Sequence, residues 1–183
     1  DESESRGLGD VYKRQIRDRA DQTESLRKEA MELYTKEKEI FTNPNFKGLV
    51  ARAAYGKNWK DAGYTDRGDL PGTQWKYQSD LSDDRRAVWF NPTLRYVIIS
   101  YRGTNFSGDG KTVDLLTDGG IFGNFTSLTP MYQEDEKHFK RVKARFPDAY
   151  VELVGHSLGG HRARIMGTKQ KVPTSTGCVC RDS

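Results

Sequence analysis

The segment from Ala149 to Met166 constrains the fold more than any other part of the chain. An apolar run, AYVELV, passes directly into GHSLGG, and helix-forming residues follow. A short apolar run of this kind predicts a strand that is buried on both faces. The glycines around Ser157 allow the strand to reverse into a helix within a few residues. The sequence therefore predicts a strand, a sharp turn and a helix, the unit from which parallel sheets are built.

The turn itself, GHSLG, matches the pattern G-x-S-x-G of a serine nucleophile between a strand and a helix. We expect the tight reversal to hold Ser157 in a strained conformation with its hydroxyl beyond the sheet. The N–H of Leu158 opens the next helix and points to where negative charge develops on an attacked acyl group. Gly155, His156 and Gly159 are expected to support the turn. The alternative is an ordinary glycine-rich helix start with a chemically inert serine.

The rest of the chain alternates between helical spacing and β-branched or aromatic runs. This alternation predicts an α/β fold with a mostly parallel sheet flanked by helices. The serine turn makes it typical of the α/β-hydrolase type, and we expect the sheet to be incomplete at the C-terminus. The predicted elements before the turn are a charged, solvated helix over 16–40, a helix from Pro44 to Gly56, strands at 75–79, 86–90 and 95–101, and a helix from Thr129 to Pro147.

The 183 residues suit a single domain. We expect that domain to occupy residues 16–176. The strings GLGDVYKRQ (7–15) and CVCRDS (178–183) resemble adapter sequence that has been translated at the ends of assembled reads. We therefore expect residues 1–15 and 177–183 to be non-native or disordered tails.

Charge and composition exclude several classes of function. The 30 basic and 26 acidic residues are interleaved, which argues against nucleic-acid binding despite a net charge of +4. No apolar stretch has the length of a transmembrane segment, and no signal peptide opens the chain. Cys178 and Cys180 are too close for an ordinary disulfide, and two thiols make no zinc site. We expect a soluble protein without a metal or other cofactor and assign no compartment.

Four stretches together carry a family resemblance. VIISYRGTN, VDLLTD, a helix ending in Pro147 and VELVGHSLGG resemble the class 3 (fungal-type) triacylglycerol lipases of the α/β-hydrolase superfamily in order and spacing. The resemblance covers roughly residues 45–167. It implies that Ser157 is the nucleophile and that Thr104 and the N–H of Leu158 form the oxyanion hole. Asp114 or Asp118 would match the family's acidic residue after R-G-T, which has a structural and not a catalytic role there.

The chain departs from the family pattern on both sides of the turn. NFSGDGKTV, which follows R-G-T, is longer than the family's segment. His161, Arg162 and Ala163 stand where the family has small apolar residues. A basic rim there would alter substrate choice; we favour the simpler interpretation that these residues form an exposed helix face.

The resemblance implies a serine carboxylic-ester hydrolase, a triacylglycerol lipase or a related lipid esterase. Its substrate would be a lipid or small ester, with transient contact to a lipid surface. A phospholipase, thioesterase or acyltransferase is an alternative on the same fold. A pseudoenzyme that binds lipid or a partner without turnover is another. The charged helix over 16–40 could serve as a partner-binding or membrane-surface arm, although its mixed charge favours a solvated cover.

A serine nucleophile needs a histidine base and an orienting carboxylate, which follow it in this fold. After Ser157 the chain offers only His161, expected at the surface, and Asp182 in the C-terminal tail. His138 precedes the turn on a charged helix and is expected to be solvated. We therefore expect a C-terminal truncation that removes the triad Asp and His together with the later strands of the sheet. Such a truncation exposes a sheet edge and apolar helix faces, so we expect the fragment to be poorly soluble.

Overall fold

The computed structural model describes residues 2–56, 67–103 and 129–176. Thr104, Asp114 and Asp118 lie outside the described residues, as does the tail from residue 177. The helices are α1 (Glu2–Thr42), α2 (Pro44–Ala53), α3 (Thr129–Arg145) and α4 (Leu158–Gln170). The strands are β1 (Lys76–Tyr77), β2 (Arg86–Asn91), β3 (Tyr96–Tyr101), β4 (Tyr150–Gly155) and β5 (Thr174–Thr176).

The five strands form one mixed sheet in the order β1-β2-β3-β4-β5. The pairs β1/β2 and β2/β3 are antiparallel, whereas β3/β4 and β4/β5 are parallel. The second strand of each parallel pair follows a helix, since α3 leads into β4 and α4 leads into β5. The described part of the chain therefore has an α/β fold, as the sequence predicts. Its described sheet is mixed and not mostly parallel, because two of its four strand pairs are antiparallel.

Helices cover the sheet on both faces. Alternate residues of β3 point to opposite sides, so Val97 and Ile99 join one core cluster while Ile98 joins the other. The first cluster adds Phe139 and Val142 of α3 and Ala163 and Met166 of α4. The second adds Phe46, Val50 and Ala53 of α2 together with Trp75 and Trp89. Strand β3 is buried on both faces, because Val97 through Tyr101 are all buried.

The long first helix differs from its prediction. It runs from Glu2 to Thr42, and every described side chain from residue 13 to residue 36 is exposed. Packing begins at Glu37, whose carboxylate accepts hydrogen bonds from Asn91 Nδ2 at 2.6 Å and from the Gln74 N–H at 2.9 Å. The expectation that residues 16–40 cover another part of the molecule is therefore wrong for most of that range, because the segment projects from the domain.

The expectation that no strand follows the helix after Ser157 is also wrong. Thr174–Thr176 forms β5, which pairs in parallel with Leu153, Val154 and Gly155 of β4. The backbone supplies this pairing, so a short polar sequence suffices for it. Among the described strands, β5 forms the outer edge of the sheet next to β4.

His138 is buried rather than solvated. It is 4% exposed, and its Nε2 donates a hydrogen bond to the carbonyl oxygen of Leu81 at 2.6 Å. The expectation of a solvated histidine fails because His138 lies next to Phe139, on the side of α3 that faces the sheet. Burial lowers the pKa of His138, and this effect exceeds the opposing effect of the hydrogen bond to Leu81.

The lowered pKa of His138 predicts a pH-dependent stability. The unfolded chain takes up a proton at about pH 6.5, whereas the folded protein does so only at lower pH. The contribution of His138 to the free energy of unfolding is therefore present above about pH 6.5 and lost as the pH falls toward the folded-state pKa, by up to about 1.4 kcal/mol per pH unit. Denaturant unfolding of the wild type and His138→Gln between pH 7.5 and pH 5 measures this difference. Two parallel stability curves would contradict the assignment.

In the ranges 2–56, 67–103 and 129–176, no helix combines the length and the apolar character that a bilayer crossing requires.

Candidate active site

Ser157 lies at the carboxyl end of β4, immediately before the first residue of α4. Its φ of 57° and ψ of −130° are unusual for a residue other than glycine. Such a conformation costs about 1–3 kcal/mol and persists only where the surrounding structure enforces it. The Ser157 carbonyl accepts hydrogen bonds from the N–H groups of Gly160 at 2.9 Å and His161 at 3.2 Å, so the helix begins at once. The side chain of Ser157 is exposed beyond the sheet.

Two glycines make this turn sterically feasible. A Cβ atom on Gly155 would overlap the carbonyl group of Gly159, and one on Gly159 would overlap the carbonyl oxygen of Tyr101 in β3. Both obstacles are main-chain atoms, which side-chain rotation cannot move. The turn around Ser157, residues 155–159, is hereafter the elbow. It fits closely against the end of β3.

The described part of the candidate oxyanion hole has two sides. On one side, the N–H of Leu158 belongs to the first turn of α4 and has no acceptor within the helix. On the other side, β3 ends in Arg102 and Gly103, and a Cβ on Gly159 would lie 2.9 Å from the Gly103 nitrogen. The backbone that leads into Thr104 is thus adjacent to the elbow. Thr104 itself remains a prediction, since it is outside the described residues.

Tyr55 connects these two sides, and sequence reasoning missed it. Its hydroxyl accepts a hydrogen bond from the Gly103 N–H at 3.0 Å and donates one to the His156 carbonyl at 3.4 Å. Its ring meets the His156 ring edge-on at 6.3 Å, and the Arg102 guanidinium lies 5.6 Å from its centre. Burial raises the pKa of Tyr55, so its hydroxyl stays protonated near neutral pH. No sequence motif marks this position, which follows the end of α2.

Arg162 corrects the interpretation of the helix face beyond the elbow. It is only 2% exposed, and it forms a two-pronged ion pair with Asp135 of α3, at 2.9 Å from Nε to Oδ2 and 2.6 Å from Nη2 to Oδ1. Asp135 is fully buried and also contacts Arg86 Nη1 at 3.3 Å. The expectation of an exposed face or basic rim is wrong for Arg162, because Asp135 compensates its charge inside the protein. It is also wrong for Ala163, which is fully buried in the core.

The remaining titratable side chains around the elbow are His156, expected to support the turn, and His161, expected at the surface. His161 is half-buried and its N–H is bonded to the Ser157 carbonyl. Burial lowers the pKa of His156, and the nearby charge of Arg52 lowers it further. Within the described ranges, no three His, Cys, Asp or Glu side chains are grouped closely enough to hold a metal ion. The positions of the catalytic acid and base therefore stay a prediction.

Comparisons with known proteins give structural neighbours only. No family model matches the chain, and no curated protein sequence matches it significantly. The Lip2 lipase of Yarrowia lipolytica has a TM-score of 0.48 at 19% identity, over 72% of this chain and 58% of the lipase chain. A lipase of Rhizopus microsporus var. chinensis has a TM-score of 0.47 at 19% identity, over 78% of this chain and 57% of the lipase chain. The chain thus spans less than two thirds of the length of these two lipases.

Proposed function

We propose that this chain carries the nucleophile part of a serine hydrolase that cleaves carboxylic esters, with a triacylglycerol lipase or related lipid esterase as the leading candidate. One observation carries the proposal. Ser157 occupies a strained conformation with a positive φ between a buried parallel strand and the N-terminus of a helix, with its side chain exposed. A strained, exposed serine at this point is what a nucleophile in this fold requires.

The proposed reaction begins with attack of Ser157 Oγ on the acyl carbon of an ester. A histidine base takes the hydroxyl proton, and the developing oxyanion is stabilised by the N–H of Leu158 and by Thr104. The intermediate then expels the alcohol, which receives the proton from the histidine. The resulting acyl-enzyme is hydrolysed by water, which regenerates Ser157 and releases the carboxylic acid.

We propose that the histidine and its orienting carboxylate follow Ser157 in the intact parent protein, in sequence that continues the reading frame beyond Thr176. Both groups follow the nucleophile in this fold. The chemistry uses no metal or other cofactor. The elbow determines the reaction type and not the substrate, so phospholipase, thioesterase and acyltransferase activity remain alternatives for the same site. A pseudoenzyme that binds lipid or a partner is the alternative of a different class.

Substitution of the nucleophile tests this function. In the longest protein that the reading frame encodes, Ser157→Ala is expected to lower kcat for hydrolysis of a short-chain p-nitrophenyl ester by about 10⁴-fold or more. The loss follows from removal of the attacking oxygen and not from unfolding, because alanine retains the Cβ and the helix start. Thermal unfolding of the same variant checks that its fold is intact.

Ser79→Ala is the matched control, since Ser79 is an exposed serine at the start of a short 3₁₀ helix, distant in sequence from the elbow. It is expected to leave kcat unchanged. Equal activity of the Ser157→Ala variant and the wild type would exclude Ser157 as the nucleophile. A folded wild type without activity toward any ester would favour the pseudoenzyme.

A further inference from the structure

The peptide group between Arg102 and Gly103 is held at both ends by side chains. Its carbonyl oxygen accepts a hydrogen bond from Arg162 Nη1 at 3.0 Å. Its N–H donates a hydrogen bond to the Tyr55 hydroxyl at 3.0 Å. A peptide group is planar, so two opposed hydrogen bonds define its orientation. A reversed peptide would present its oxygen to Tyr55 and its N–H to Arg162, which has only donors to offer.

Both side chains that hold this peptide are also attached to the elbow. Tyr55 donates its hydroxyl proton to the carbonyl oxygen of His156, the residue before the nucleophile. Arg162 lies on α4, the helix that begins at the elbow. The end of β3 and the elbow are therefore linked by two separate side-chain connections as well as by direct contact.

The arginine can act as a rigid support because its own position is determined. Asp135 binds two of its nitrogens, Arg162 is almost completely buried, and the guanidinium lies 5.0 Å from the centre of the Tyr101 ring. A planar guanidinium held at several atoms loses little further freedom when it binds one more carbonyl. Asp135 belongs to α3, so Arg162 connects this helix with the Arg102 carbonyl at the end of β3.

We propose that Tyr55 and Arg162 are positioning residues that hold the Arg102–Gly103 peptide in a single orientation against the elbow. This arrangement presets the side of the oxyanion hole that follows β3. The role in catalysis rests on the proposed function, whereas the fixed peptide rests on the contacts alone. Preorganised donors matter because reorientation during the reaction would cost part of the stabilisation of the transition state.

Tyr55→Phe is the first test, because it removes the hydroxyl and keeps the ring contacts with His156 and Arg102. In the longest encoded protein we expect hydrogen exchange at the Gly103 amide to accelerate about tenfold or more, and kcat to fall about tenfold with little change in KM. Exchange at the core amides of β3 should stay unchanged. Tyr150→Phe is the matched control, since Tyr150 is 73% exposed.

Arg162→Lys is the second test, with Arg164→Lys on the exposed side of the same helix as its control. Lysine keeps the charge beside Asp135 but cannot bind that carboxylate and the Arg102 carbonyl with a rigid fork. We expect a fall in kcat similar to that of Tyr55→Phe. A fall in kcat that only follows the loss of stability would indicate a merely structural role and overturn the proposal.

The two readouts separate this inference from the proposed function. Faster Gly103 exchange in Tyr55→Phe supports the fixed peptide even when the wild type hydrolyses no ester, in which case only the enzymatic function fails. Unchanged Gly103 exchange and unchanged kcat in a folded Tyr55→Phe variant would overturn the positioning role while leaving the hydrolase intact.

Discussion

Gly159→Ala is expected to destabilise the protein by roughly 3 kcal/mol or more, at the upper end of the cost of overpacking. The added methyl group would overlap the carbonyl oxygen of Tyr101, and the Tyr101 carbonyl carbon and the Gly103 nitrogen would lie 2.8 and 2.9 Å away. All three atoms belong to the main chain, so relief requires separation of β3 from the elbow. Denaturant unfolding measures the loss, and a folded fraction of the variant should also show reduced hydrolysis.

Gly48→Ala is the matched control for this substitution. Gly48 lies inside α2, and a Cβ on it would meet no atom within 4 Å. Alanine is the better helix former, so this variant is expected to gain about 0.5–1 kcal/mol. Equal stability effects of the two substitutions would show that the elbow is not packed against β3 as described.

Asp135→Asn is expected to cost about 3–5 kcal/mol, the usual effect of breaking a buried ion pair by removing one partner. The substitution barely changes the shape of the side chain but leaves the charge of Arg162 without compensation in the interior. Arg86 retains Asp83 as a partner at 2.8 Å, so the loss comes mainly from Arg162. Chemical denaturation at constant pH measures the effect.

Two further variants test whether the loss of stability comes from the uncompensated charge of Arg162. Glu134→Gln removes the neighbouring carboxylate, whose pair with Arg85 is more than half exposed on both sides, and it should cost less than about 1 kcal/mol. The double variant Asp135→Asn/Arg162→Gln should recover much of the stability, because no uncompensated charge is left. A cost near zero for Asp135→Asn would mean that Arg162 reaches solvent and that the ion pair is not buried.

The elements closest to Ser157 were predictable because their signals are local. The apolar run before Gly155 specified β4, and the glycine spacing specified a tight reversal into α4. The α/β class followed from the alternation of strands and helices. Strand β5 escaped prediction because Thr174–Thr176 is short and polar, and its pairing depends on the edge that β4 offers.

The buried ionic cluster was harder to predict because its partners are distant in sequence. Asp135 of α3 and Arg162 of α4 meet only after the sheet has formed. A signal was nevertheless present, because Asp135 and His138 share the helical face of Phe139 and Val142. Their position on this apolar face predicts that both side chains are buried, although they are polar. Tyr55 offered no such signal, because its contacts form only in the folded chain. Its hydroxyl bonds the N–H of Gly103 after β3 and the carbonyl oxygen of His156 in the elbow.

Covalent labelling tests the central claim most directly. The longest protein encoded by the reading frame would be treated with a fluorophosphonate, and the modified residue located by mass spectrometry of its peptides. We expect a single adduct at Ser157 that is absent from the Ser157→Ala variant and unaffected by Ser79→Ala. Absence of labelling in a folded protein, or labelling at another serine, would contradict the assignment of Ser157 as an activated nucleophile.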